Sequence, residues 1–215
     1  MDSISDSKGF MQMTMEKHTY IVGVTGGIGA GKSYVCQTIA KHGFPVYTSD
    51  LEARTIIDTN EQVRHRLQQL FGKDIYTPYG LDRKRVAQIV FSNPSLLQQM
   101  NGIVHPVVHQ HFLHWTETQT ASMVFLESAI LVSSGFDALC DAIVYITAPE
   151  QQRVQRVLRR DAVSKEDVLR RIANQSEAKS TLQLPSITLN NDETQTVESL
   201  VQQMFHTLTS FQSLK

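Results

Sequence analysis

Residues 26–33 read Gly-Gly-Ile-Gly-Ala-Gly-Lys-Ser and match the pattern Gly-x-x-x-x-Gly-Lys-Ser in full. A loop of this kind works only between a buried strand and the start of a helix, so it commits its flanks to an α/β layer. The flanks comply. Tyr20–Thr25 is a short apolar run, and Tyr34–Ala40 carries apolar residues at helical spacing. Gly26, Gly27, Gly29 and Gly31 can take positive φ angles and let successive amides turn inward around a phosphate. Lys32 would then stand beside the β- and γ-phosphates of a nucleotide, and the Ser33 hydroxyl would join a Mg²⁺ shell.

Five short apolar segments, at 20–25, 44–47, 123–127, 142–147 and 186–189, read as buried parallel strands separated by helical stretches. The alternation predicts an α/β fold with a doubly wound five-stranded parallel sheet covered on both faces. Between the second and third strands, helical patterns at Leu51–Asp58, Glu61–Phe71, Asp82–Val90 and Pro94–Thr116 are broken by Tyr76-Thr-Pro-Tyr-Gly80. An inserted helical lobe fits that length better than one crossover helix. Two further helices are marked by Pro149-Glu150 and by Ser164-Lys-Glu-Asp167, a capping box with Asp in place of the usual Glu. They carry Arg153, Arg156, Arg159, Arg160, Arg170 and Arg171 and read as a lid. The expected division is a disordered extension at 1–18, a nucleotide-binding core at 19–50, 119–150 and 181–215, a helical acceptor lobe at 51–118 and a lid at 151–180.

Twenty basic and twenty-one acidic residues give a formal charge of -1, so the overall balance points to neither a nucleic-acid nor a membrane-surface partner. Cys36 and Cys140 are too few for a disulfide framework or a zinc cluster and are expected as buried thiols in a reducing, cytoplasmic setting. The first eighteen residues lack the apolar segment of a secretory signal, and no run approaches the ~20 apolar residues needed to span a bilayer.

Phosphoryl transfer asks a protein for charge compensation, alignment of attacking and leaving oxygens, and exclusion of water. Arg153, Arg156 and Arg160 recur at spacings of three and four, so one helical face can present several guanidinium groups to a polyphosphate; the plainer alternative is a solvated basic face. Asp50 follows the second strand, where ligands gather in open α/β sheets, and suits a base or a metal-bound carboxylate as well as a helix N-cap. Glu127 at the end of the third strand is a second acidic candidate, either near the metal or capping the next segment. His105, followed by Pro106, suits a positioning role at a bend. There is no Asn-Lys-x-Asp segment for guanine recognition, and Ala142–Ile146 ends in Thr147 where a Walker-B strand would carry Asp. GTPase and motor-ATPase readings are disfavoured; another P-loop kinase of a nucleoside or small metabolite, or a nucleotide-binding regulatory protein, stay open on these residues.

Together the motifs resemble the dephospho-CoA kinase family. The matching pieces are Gly23–Ser33, Ser49-Asp-Leu-Glu-Ala-Arg54, Asn101–Pro106, Arg156-Val-Leu-Arg-Arg-Asp161 and Arg171-Ile-Ala-Asn-Gln175, in the family's order. The resemblance implies transfer of the ATP γ-phosphate to the ribose 3′-hydroxyl of dephospho-CoA with Mg²⁺ present, by a monomer or small homo-oligomer. It implies catalytic roles for Asp50, Arg156 and Lys32. It implies ATP contacts from Gly27, Ile28, Gly29, Ala30, Gly31, Lys32, Ser33, Tyr34, Arg156 and Asn190, a metal contact from Ser33, and acceptor contacts from Thr25, Asp50, Arg54 and His105. Three features depart from the family pattern. Thr48 stands where a first acid usually precedes Asp50, Ala129-Ile-Leu-Val-Ser133 replaces a Pro-Leu-Leu-Phe-Glu stretch, and the amino-terminal extension has no counterpart.

Overall fold

A computed structural model describes residues 18–175 and 182–212; most of the expected extension and the end of the expected lid, 176–180, lie outside the described residues. Five strands form one parallel sheet: β1 (Tyr20–Gly26), β2 (Val46–Thr48), β5 (Met123–Glu127), β6 (Ala142–Thr147) and β7 (Ser186–Asn190). Their order across the sheet is β2-β5-β1-β6-β7. β1 is therefore central, with Val22 opposite Phe125 on one side and Ala142 on the other. Such a strand is buried on both faces, which explains its unbroken apolar run.

Alternation along each strand splits the core in two. Val22, Val24, Phe125, Val144 and Ile146 face helices α1 (Lys32–Lys41) and α8 (Val197–Gln212), packing with Val35, Ile39, Met204 and Leu208. Ile21, Val124, Leu126 and Ile143 face the opposite layer, whose apolar residues include Ile56, Leu67, Val108 and Phe112. That layer is the insertion between β2 and β5: α2 (Ser49–Thr59), α3 (Glu61–Phe71), α4 (Arg83–Ser92) and α5 (Pro94–Glu117). Burial raises both thiols, and Cys140 is pushed up to about 12.

One local expectation is corrected. The break at 76–80 forms a two-stranded hairpin, β3 (Tyr76–Thr77) with β4 (Gly80–Leu81), pinned to α2 where Asp58 accepts from the Leu81 amide at 2.9 Å and from Arg83 at 2.6 Å. The helix expected over Pro94–Thr116 forms as α5 and runs through Pro106. Pro106 and Gly102 are both exposed, so the Gly102 carbonyl that loses its partner four residues on faces water.

The sheet reverses winding at β1, between β5 and β6, and the strand carboxyl ends gather there. The P-loop after β1, Asp50 after β2, Glu127 closing β5 and Asn191 after β7 meet on that edge. Helices α6 (Glu150–Arg160) and α7 (Lys165–Asn174) leave β6 and lie over it, around a small apolar core of Val154, Val157 and Val168.

Candidate active site

A P-loop that turns its amides inward leaves its carbonyls facing outward, and each needs a donor. Here each carbonyl from 26 to 30 has one. Lys32 Nζ donates to the Gly26 carbonyl at 2.8 Å, the Ala30 amide to Gly27 at 3.1 Å, and Arg153 Nε to Ile28 at 2.9 Å. Asn191 Nδ2 donates to the Ala30 carbonyl at 2.8 Å, while Arg156 Nη1 reaches the Gly29 and Ala30 carbonyls at 3.5 Å. Gly26, Gly29 and Gly31 have positive φ; Gly27, expected to share it, does not. The other three are also held by contact. A Cβ at Gly26 would strike the Ile146 carbonyl, at Gly29 the Arg153 carbonyl on α6, and at Gly31 the Asn191 side chain. Gly31 begins α1 in the left-handed region and supplies no side-chain cap. The Lys32 and Ser33 amides are thus left as donors for an anion, while those of Tyr34 and Val35 bond back to the Gly31 carbonyl.

Beside this loop opens a cleft of about 900 Å³ lined by Lys32, Ser33, Asp50, Arg54 and Glu127 on the core side and by Arg160, Arg171 and Gln175 from α6, α7 and the end of α7. Burial holds the Lys32 ammonium below its usual value, against the raising influence of Glu127 and Asp50. Burial pushes the Glu127 carboxyl up, with Lys32 opposing and Asp50 adding to the rise. Asp50 is exposed and lies inside the first turn of α2, whose N-cap is Thr48, so the N-cap alternative for Asp50 does not hold. Glu127 is buried in the same cleft wall and lies within electrostatic range of Lys32.

The remaining expected residues fall in adjoining spaces. His105 shares with Asp50 a cavity of about 150 Å³ between α2 and α5, where burial and then His109 keep its imidazole below the ordinary value. Thr25 is buried and lines a separate cavity of about 150 Å³ with Leu131, Tyr145 and Thr188. On the other side of the P-loop, Tyr34, Arg156, Asn191 and Thr194 surround a space of about 630 Å³. The Asn190 side chain bonds Asp192 at 2.6 Å and points along its own loop; its neighbour Asn191 is the one that enters this space. Strand alternation decides between two adjacent asparagines, and the register of β7 was not readable to one residue.

The arginines of α6 diverge from the row expected of them. Arg153 and Arg156 grip the P-loop, Arg156 also donates to the Asn191 carbonyl at 2.9 Å and pairs with Glu193 at 3.0 Å, and Arg160 pairs with Asp161. Gln175, quoted only as part of a motif, bonds the Ile28 amide at 2.6 Å. No sequence signal assigned it a place at the loop.

A family model for dephospho-CoA kinase matches residues 20–197. A dephospho-CoA kinase of Porphyromonas gingivalis is 42% identical over 159 residues, spanning 74% of this chain and 79% of that protein. One from Bacteroides fragilis is 36% identical over 172 residues, spanning 80% and 84%. Among solved structures, TT1252 from Thermus thermophilus superposes with a TM-score of 0.75 at 31% identity over 90% of this chain and 98% of that one. A dephospho-CoA kinase from Campylobacter jejuni shares the fold, with a TM-score of 0.63 at 21% identity over 88% and 97%. With the P-loop, the cleft and helices α6 and α7 all within the stretch that the family model matches, this chain belongs to the dephospho-CoA kinase family.

Proposed function

We propose that the chain transfers the γ-phosphoryl group of ATP to the ribose 3′-hydroxyl of dephospho-CoA, yielding coenzyme A and ADP. The observation that carries this reading is one cleft holding Lys32, Ser33, Asp50 and Arg54 together, with Glu127 in its wall. Asp50 takes the proton of the 3′-hydroxyl as its oxygen bonds to the γ-phosphorus, and the bond from that phosphorus to the β–γ bridging oxygen breaks as ADP leaves. Lys32 compensates charge on the phosphates. Phosphate binding also favours its ammonium form, which burial disfavours. The helices of the insertion, with Arg54 and His105, hold the acceptor; the space around Tyr34, Arg156 and Asn191 receives the ATP nucleoside.

The exposed Ser33 hydroxyl and the Asp50 and Glu127 carboxylates form a hard-oxygen set that fits Mg²⁺. Among the described residues no group of three or more His, Cys, Asp or Glu could hold a metal ion. When bound, Mg²⁺ would neutralise charge on the β- and γ-oxygens. No described helix is long and apolar enough to cross a membrane. The deciding experiment follows ADP release with dephospho-CoA, AMP, shikimate or gluconate as acceptor. Release should depend on dephospho-CoA; stimulation by another acceptor and not by this one would overturn the assignment.

A further inference from the structure

Ile28 in the P-loop is gripped from the lid at three points. Its side chain packs against the Val154, Val157 and Val168 core. Its carbonyl accepts from Arg153 Nε, and its amide donates to Gln175 Oε1 at 2.6 Å. Gln175 is the C-cap residue of α7, its own amide bonded to the Ile172 carbonyl, so its side chain springs from an ordered helix end. The other end of the carboxamide turns to a third element: Nε2 reaches the Ala129 carbonyl at 3.4 Å, in the loop after Glu127. Ala129 and Ile130 line the cleft together with Asp50. Gln175 also lines the neighbouring cavity that holds Thr25 and Leu131, so it forms part of the wall between the two spaces.

One neutral side chain thus bridges the donor loop and the acceptor-side loop, with an oxygen for an amide and an NH₂ for a carbonyl. Met has nearly the same length and offers neither group; Glu keeps the oxygen but brings a negative charge toward the phosphates. We infer that Gln175 is a positioning residue for phosphoryl transfer: it sets the Ile28 amide and the Ala129 loop relative to each other, and thereby the reacting phosphorus relative to Asp50. This rests on the kinase reading above. Misplacement of about 1 Å costs on the order of 10²-fold in rate. Of the expected ATP contacts the substitution touches the Ile28 amide alone and leaves Lys32 and the amides at the start of α1 as they are, so ground-state ATP binding changes little.

The test compares wild type, Gln175→Met and Gln175→Glu in steady-state turnover of dephospho-CoA, with amide hydrogen exchange at Ile28 as a readout independent of activity. Gln175→Met should lower kcat by about 10²-fold with KM for ATP changed by less than about threefold, and should speed exchange at Ile28. Gln175→Glu should restore protection at Ile28 and part of kcat while raising KM for ATP. Wild-type kcat in Gln175→Met, as packing alone would give, overturns the inference; so does a rise in KM for ATP that matches the fall in kcat, which marks a ground-state ligand. If wild type leaves dephospho-CoA unphosphorylated, the acceptor reading fails. The same comparison then runs on the slow hydrolysis of ATP, where an unchanged rate together with unchanged Ile28 exchange overturns the Gln175 inference.

Discussion

Replacing Arg156 by Ala should damage the ligand-free protein as well as the reaction. Its guanidinium makes two short contacts, to the Asn191 carbonyl at 2.9 Å and to Glu193 at 3.0 Å, and longer ones to Gly29, Ala30 and Gln152 at 3.4–3.5 Å. A hydrogen bond from a charged donor contributes about 1.5–3 kcal/mol when its acceptor is otherwise left bare. The Glu193 side chain is 69% exposed, so its pair contributes at most about 1 kcal/mol. The contacts beyond 3.4 Å add little. The sum is about 2–3 kcal/mol, carried mainly by the link between α6 and the loop after β7. For a chain of this length that corresponds to a fall of about 5–10 °C in Tm. Glu193→Gln should lower Tm by no more than about 3 °C. Calorimetry of ligand-free proteins measures both. In turnover, Arg156→Ala should weaken ATP binding at least as much as it lowers kcat, because its guanidinium lines the nucleoside space and not the cleft that holds Asp50 and Lys32. An unchanged Tm in Arg156→Ala, or an equal fall in Glu193→Gln, would refute the clamp; a large loss in kcat with ATP affinity intact would refute its place in the nucleoside space.

Asp50→Asn should cut kcat by about 10² or more with ATP binding intact by titration calorimetry, and near-normal turnover would remove Asp50 from the chemistry. Because the folded-state pKa of Lys32 is depressed, its ammonium costs stability, a cost relieved as pH rises from that value toward the unfolded value of 10.5. ATP binding runs the other way and weakens over the same rise, as the ammonium is lost. Glu127→Gln removes the largest influence holding the ammonium on, so the alkaline loss of ATP affinity should begin at lower pH in that variant. An unmoved or upward-shifted limb in affinity measured against pH would contradict this.

The parts of the molecule readable in advance were those whose cause is local. β1 and β5 are apolar because both their faces are covered, and that pattern survives in a single chain. The helices of the insertion announce themselves by period, and the structure adds their caps: Asn60 accepts from the Val63 amide, and Asp82, read as the first helical residue, accepts from the Arg85 amide as an N-cap. The hairpin at 76–81 was hidden because two residues per strand leave no alternation to see, and its anchor is Asp58, some twenty positions away. Pro106 costs α5 one backbone hydrogen bond, and whether water replaces it depends on which face of the helix is exposed, which only the packing decides.

The same division runs through the site. Gly-x-x-x-x-Gly-Lys-Ser is a local solution to holding a phosphate, so the sequence by itself determined that a nucleotide loop lies between a strand and a helix. It likewise placed Asp50 at the end of the second strand. Distances across the chain belonged to the tertiary structure alone. Arg153 and Arg156 satisfy P-loop carbonyls more than a hundred residues away, Asn191 and not Asn190 closes on Ala30, Glu127 shares a wall with Lys32, and Gln175 holds Ile28. The physical reason is that periodicity and motif spacing record what each segment buries. Which carbonyl meets which donor is decided only when the crossovers bring the strand ends and helices α6 and α7 to one edge of the sheet.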